Sequence, residues 1–133
     1  MISLKNTFSK NFVFTEKKIE SFANLCDDQA PVHFDRNFAI KMGYNNKIVH
    51  GFFVSSIFSG ILGNHLPGKN SVIRNINLNF MNPVFSKDEI IFKVEVEKII
   101  ESVKNIQLLL TAKRKIDDKI IIKGSASCIL KNE

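Results

Sequence analysis

His50-Gly51-Phe52-Phe53-Val54-Ser55-Ser56-Ile57-Phe58-Ser59-Gly60-Ile61-Leu62-Gly63-Asn64-His65-Leu66 is the stretch that decides the fold. Plotted at about 100° per residue, Gly51, Ser55, Ser56, Ser59, Gly60 and Gly63 share one half of a helical wheel. Phe53, Val54, Ile57, Phe58, Ile61 and Leu62 mostly fill the other half. A helix this apolar has to be buried. Its small-residue side would let a sheet backbone, a partner chain or a ligand come close. Tight helix packing alone accounts for the same residues equally well. Pro67-Gly68 is expected to end the helix.

Beyond that point the hydrophobic period changes to two. Ile76, Leu78 and Phe80 alternate with Asn75, Asn77 and Asn79. Ile90, Phe92, Val94 and Val96 alternate with Lys93, Glu95 and Glu97. Ile106, Leu108, Leu110 and Ala112 form a third run, and Ile120, Ile122, Gly124, Ala126 and Cys128 a fourth. Asn82-Pro83, Glu101 to Asn105 and Asp117-Asp118 supply short polar turns. Such runs predict an antiparallel sheet with one face buried. An apolar helix followed by this sheet predicts an α+β domain in which the sheet wraps the helix.

Upstream, Leu4 to Phe14 reads as a strand or hairpin. Thr15 is a good N-cap for a helix to about Cys26, with Ile19, Phe22, Ala23 and Leu25 apolar. Pro31 then enforces a loop, and Asp35 can cap a short helix to about Met42. The 133 residues suit a single domain, 1–133. The formal net charge is +6, but the basic residues are scattered, with no block of like charge. A nucleic-acid arm is therefore not expected. A weak positive field would attract an anionic ligand, and a merely soluble surface explains it as well. Two cysteines, Cys26 and Cys128, make no disulfide framework. No signal peptide is read at the N-terminus, and residues 48 to 66 are too short and polar to span a bilayer of ~30 Å. A cytoplasmic, membrane-free protein is expected.

Chemistry concentrates in Asp28-Gln29-Ala30-Pro31-Val32-His33 and Val49-His50-Gly51. An acid and an imidazole lie five residues apart, and a glycine opens the apolar helix. Asp27 and Asp28 sit at a helix C-terminus, where the dipole disfavours carboxylates, so another role is expected to justify them. An acid, a base and a pre-aimed backbone N–H are what adding or removing water beside a thioester carbonyl requires. Neighbours on a loop rarely face together, so Asp27 is expected in solvent.

Asp28-(x)4-His33, Ile48-Val49-His50-Gly51 and Phe58-Ser59-Gly60-Ile61-Leu62-Gly63, with Leu66-Pro67-Gly68, together resemble the (R)-specific enoyl-CoA hydratases and MaoC-like dehydratases of the hot-dog fold. The resemblance covers roughly Thr15 to Leu130. It implies a sheet curled around a long central helix and a homodimer or higher oligomer whose sheets join edge to edge. It also implies reversible hydration of trans-2-enoyl thioesters to 3-hydroxyacyl thioesters, carried by coenzyme A or an acyl carrier protein. By motif, Asp28 matches the catalytic acid, His33 the imidazole and Gly51 the oxyanion-hole donor. Ser59 matches a serine close to the acid, His50 precedes the glycine as the family's histidine does, and both are expected with Gly51 among the oxyanion- and substrate-binding residues. Ala30 departs from the family pattern, which carries Asn there. No cofactor is implied.

Each residue also has a plainer reading. Asp28 could cap a loop, His33 and His50 could hydrogen-bond structurally, and Ser59 could simply pack. A metal site from His33, His50 and His65 is not expected, because their spacing follows no common ligand pattern. Cys26 lacks a spaced base. Lys69, Arg74 and Lys87 could meet phosphates, with surface charge the default reading. A hot-dog thioesterase and a non-catalytic acyl-thioester binding module are the competing functions; Ala30 supports the latter.

Overall fold

The computed structural model describes residues 2–131. The chain runs β1 (Thr7–Val13), α1 (Glu16–Cys26), α2 (Pro31–Phe34), α3 (Arg36–Lys41), α4 (Gly51–Asn64), β2 (Ser71–Phe80), β3 (Glu89–Ile100), β4 (Asn105–Arg114) and β5 (Ile120–Leu130). The five strands form one antiparallel sheet in the order β1-β3-β4-β5-β2. Helix α4 touches β3 and both edge strands, β1 and β2, so the sheet curls around it.

Local chemistry sets the helix boundaries. The Thr15 hydroxyl accepts from the Lys18 N–H and starts α1. The Asp35 carboxylate accepts from the Phe38 N–H and starts α3. Pro31 does not enforce a loop as its sequence suggested. It sits at the first position of the one-turn helix α2, where its missing N–H costs nothing and its fixed φ already suits a helix. Helix α4 ends at Asn64, before Pro67-Gly68.

The core is the apolar side of α4 against the concave face of the sheet. Phe53, Val54, Phe58, Ile61 and Leu62 are buried beneath Ile90, Phe92, Val94 and Val96 of β3 and Ile106, Leu108, Leu110 and Ala112 of β4. Each of these side chains other than that of Ala112 contributes about 1.5–3 kcal/mol relative to exposure. Phe58 meets Phe92 edge-on at 5.2 Å, and Phe53 meets Phe14 edge-on at 5.0 Å. The opposite side of α4 is open: Phe52 is 83% exposed, and Ser56, Ser59 and Gly60 are exposed with it.

Two expectations about the strands need correcting. No residue of β2 is buried, although its alternation predicted an inward face. As an edge strand it has only β5 as neighbour, so Leu78 reaches the core while Ile76 and Phe80 stay 42% and 58% exposed. Asn82-Pro83 is also no hairpin turn. β2 and β3 are separated in the sheet by β5 and β4, so residues 81–88 cross from one side of the sheet to the other.

That crossing segment is tied down along its length. The Met81 N–H donates to the Ile121 carbonyl and the Asn82 amide to the Ile120 carbonyl. Buried Arg114 donates to the Pro83 carbonyl and pairs with Asp88 at 3.0 Å and Asp117 at 3.1 Å. The Val49 N–H donates to the Val84 carbonyl at 2.8 Å, so the segment in turn fixes the approach to α4. Among the described residues no helix is long and apolar enough to cross a membrane.

Gly124 is required by close strand approach: a Cβ there would lie 2.1 Å from the Asn77 carbonyl oxygen of β2. Gly124→Ala must push β2 off β5, and such overpacking costs about 1–3 kcal/mol. A lowered melting temperature in calorimetry is expected; an unchanged one would show that the strand pair is looser than described.

Candidate active site

Three chain segments meet beside the start of α4: the Asp27–His33 turn, the Ile48–His50 approach and the first turn of the helix. Asp27 takes a left-handed conformation, φ 60°, just after α1. Aspartate visits that region more readily than most residues because its short polar side chain can hydrogen-bond locally. The reversal leaves Asp27 exposed and Asp28 half-buried. The Ala30 N–H donates to Asp28 Oδ1 at 3.1 Å, which fixes the carboxylate with a backbone donor. Helix α2 then presents His33 to the same space.

Asp28 Oδ2 and His33 Nε2 are 3.9 Å apart. That is too long for a direct hydrogen bond and short enough for one water molecule to reach both. His33 Nδ1 lies 2.8 Å from the Ile48 carbonyl oxygen. A carbonyl only accepts, so Nδ1 carries the proton in the neutral ring and Nε2 offers its lone pair toward Asp28. The His33 side chain is 11% exposed and that of Asp28 44%, so the pair sits at an opening and not in a sealed core.

His50 makes the reciprocal contact. Its Nε2 lies 3.0 Å from the Asp28 carbonyl oxygen, and its ring stacks on that of His33 with centroids 3.8 Å apart and planes at 23°. It is 2% exposed, and its Nδ1 is sealed from solvent without a hydrogen-bond partner. Burial lowers its pKa below the ordinary 6.5, nearby His33 adds to that, and the contacts with Asp28 oppose it. With its folded pKa depressed, protonation favours the unfolded chain, so this residue's contribution to stability is present above about pH 6.5 and fades on acidification below it.

Helix α4 begins without a side-chain cap, because the His50 ring is engaged elsewhere. The His50 carbonyl takes the Phe53 and Val54 N–H groups. The Gly51 N–H, ahead of these, has no intrahelical acceptor and lies at the positive end of the dipole. The Phe80 ring packs 3.0 Å from where a Cβ at Gly51 would stand. A cavity of about 340 Å³ opens against Gly51, with Tyr44, Val49, Val54, Phe80, Val84 and Ile121 among its lining. Asp28, His33 and His50 are not in that lining, so Gly51 alone of the four borders the cavity.

The structure therefore brings Asp28, His33, His50 and Gly51 into one region. Ser59 stands apart: it is on the exposed side of α4, eight residues and about 12 Å of axial rise beyond Gly51. His65 is also elsewhere, stacked on Phe8 at 4.0 Å. Donor atoms of Asp28, His33 and His50 all lie within 4.8 Å of one another. A metal would need both imidazole lone pairs to converge in their ring planes at about 2.0–2.1 Å. Stacked rings do not aim at a common point, and each already spends one nitrogen on a carbonyl. The backbone partners, the Ile48 and Asp28 carbonyls and the Ala30 N–H, carried no signal in the sequence.

The description of the MaoC-like domain family matches residues 3–118 of this chain. The chain is 40% identical over 100 residues to the "(R)-specific enoyl-CoA hydratase" of Aeromonas caviae, covering 75% of this chain and 73% of that protein. It is 31% identical over 134 aligned positions to the mitochondrial "3-hydroxyacyl-[acyl-carrier-protein] dehydratase" of Arabidopsis thaliana, covering 99% of this chain and 80% of that one. The solved (R)-hydratase of A. caviae superposes with a TM-score of 0.90 at 31% identity, covering 97% of each chain. The architecture is thus the hot-dog fold.

The two thiols differ sharply. Cys26 is exposed, whereas burial pushes the Cys128 thiol up to about 11. Only thiolate reacts with disulfide or maleimide reagents. One thiol per chain is expected to react at near-neutral pH in the folded protein, and both after denaturation. Two rapid equivalents in the folded state would show that β5 opens readily.

Proposed function

This chain belongs to the MaoC-like family, and from that premise we propose that Asp28 and His33 are the proton-handling pair with which it reversibly hydrates trans-2-enoyl thioesters. The observation that carries the reading is the 3.9 Å gap between Asp28 Oδ2 and His33 Nε2, the span that one shared water fills. The product of hydration is a 3-hydroxyacyl thioester, and the reverse reaction is a dehydration.

In the forward direction the water held by the pair attacks C3. Its proton passes to the pair as the new C–O bond forms. The C2=C3 electrons move toward the carbonyl, and negative charge builds on the thioester oxygen. The Gly51 N–H, assisted by the helix dipole, stabilises that charge; one such donor is typically worth about 10²–10³ in rate. C2 then takes a proton from the pair, which returns to its starting state. His33 suits both directions because its lone pair is on Nε2 and the Ile48 carbonyl holds its tautomer. The apolar walls beside Gly51 would take the acyl chain.

Ala30 in place of the family's Asn favours a second reading, a module that binds acyl thioesters without turning them over. Against it, the Ala30 N–H already orients the Asp28 carboxylate. The test is hydration of crotonyl thioesters of coenzyme A and of acyl carrier protein, followed by loss of enoyl absorbance. Turnover is expected, with kcat reduced about 10²–10⁴-fold in Asp28→Asn and His33→Ala. Thiol release without absorbance loss would instead identify a thioesterase, and tight binding without turnover the binding module.

The chain acts as one hot-dog domain and pairs with a second copy through β2. Support comes from the free edge of β2, its exposed Val72, Ile73, Ile76 and Phe80, and the adjoining small-residue face of α4 that holds Ser59. A second copy on this face would cover Ser59 and could bring it into a site. An exposed apolar edge strand otherwise invites aggregation. Light scattering is expected to give a dimer or larger assembly, shifted toward monomer by Ile76→Asp. A monomeric wild type would remove this part of the reading.

A further inference from the structure

We infer that His50 is a positioning residue for the hydration reaction: a neutral imidazole that fixes the Asp28 backbone and backs the face of His33. This rests on the hydratase reading above and gives His50 a task other than touching the substrate.

The geometry leaves His50 little alternative. Its Nε2 faces the Asp28 carbonyl oxygen at 3.0 Å, so that nitrogen must carry a hydrogen. Its Nδ1 is sealed and has no acceptor nearby. Protonating Nδ1 would create a buried donor with nothing to receive it. The rings of Phe22 in α1 and Phe34 in α2 lie 5.2 Å and 5.9 Å from the His50 ring, and neither carries charge. The titratable groups facing the ring are Asp28 and His33. Neither nitrogen of His50 is free to bind a substrate oxygen.

The arrangement is reciprocal. His33 donates to the Ile48 carbonyl, and His50, two residues further on, donates to the Asp28 carbonyl, five residues before His33. The Ile48 N–H adds a longer bond to the Val32 carbonyl at 3.3 Å. Two segments separated by about 20 residues are thereby strapped into one unit, and the stacked rings are its centre. The pair's separation is set by these straps, because Asp28 and His33 do not touch directly. A neutral His50 also matters for charge. When His33 gains a proton in turnover, a second imidazolium 3.8 Å away would oppose it. A neutral ring does not.

Two variants separate the two contacts. His50→Gln keeps an N–H donor and loses the ring, whereas His50→Phe keeps a flat ring and loses the donor. On crotonyl thioester, each is expected to lower kcat about tenfold or more with KM within about threefold of wild type, because only the catalytic pair is displaced. Unchanged kcat in either variant, or a raised KM at unchanged kcat, overturns the inference. A measurement on the unaltered protein covers the case in which the variants fail to fold. Nitrogen NMR of histidine-labelled protein is expected to show His50 as the neutral Nε2–H tautomer at pH 7, with a titration midpoint below 6.5. An Nδ1–H tautomer, or a midpoint at or above that value, overturns it. The NMR result does not depend on turnover, so an inactive protein would count against the hydratase reading alone.

Discussion

The apolar side of α4 can leave water only by lying in the concave face of the sheet. Phe53, Phe58, Ile61 and Leu62 supply too much hydrocarbon for an exposed helix, and β3 and β4 present matching rows of buried side chains. Once that burial is satisfied, the position of residue 51 is fixed. The helix start must emerge at one end of the curled sheet, where the crossing segment 81–88 holds it through the Val49–Val84 hydrogen bond. The chemistry then assembles around a helix terminus that the core has already placed.

Polar satisfaction explains how the site is built. His33 and His50 each use one nitrogen on a backbone carbonyl of the other's segment, and the remaining nitrogens have different fates. That of His33 faces the carboxylate near solvent, while that of His50 is sealed. Two chemically identical side chains in face-to-face contact thus differ in exposure and in what their second nitrogen meets. Because the His50 side chain is drawn toward Asp28, it cannot cap its own helix. An ordinary Ser or Asp cap would have taken the Phe52 or Phe53 N–H. The Gly51 N–H, at the first helical position, has no intrahelical acceptor with or without such a cap.

The sequence spoke most clearly where one element carried its own signal. Thr15 and Asp35 marked helix starts through local hydrogen bonds, and β3 and β4 followed their alternation residue by residue. Pro31 misled because the same ring geometry that breaks a helix interior is favoured at a helix's first position. β2 misled because alternation reports which residues could be buried, and an edge strand with one neighbour leaves Ile76 and Phe80 uncovered within the chain. Asn82-Pro83 looked like a tight turn, yet strand order is a property of the whole sheet and no local residue encodes it. At the site, the spacing of Asp28, His33 and Gly51 was legible from motif, whereas Ser59 lies well along α4 from the helix start.

By itself the sequence determined an amphipathic helix, four alternating strands and the acid–imidazole motif, because periodicity and capping act over a few residues. Only the tertiary structure decided strand order, the exposure of β2 and the 3.9 Å spacing of Asp28 and His33. It also decided which backbone carbonyls face His33 Nδ1 and His50 Nε2. Those features depend on backbone carbonyls and neighbours contributed from distant parts of the chain, and a carbonyl looks the same at every position until folding gives it a partner.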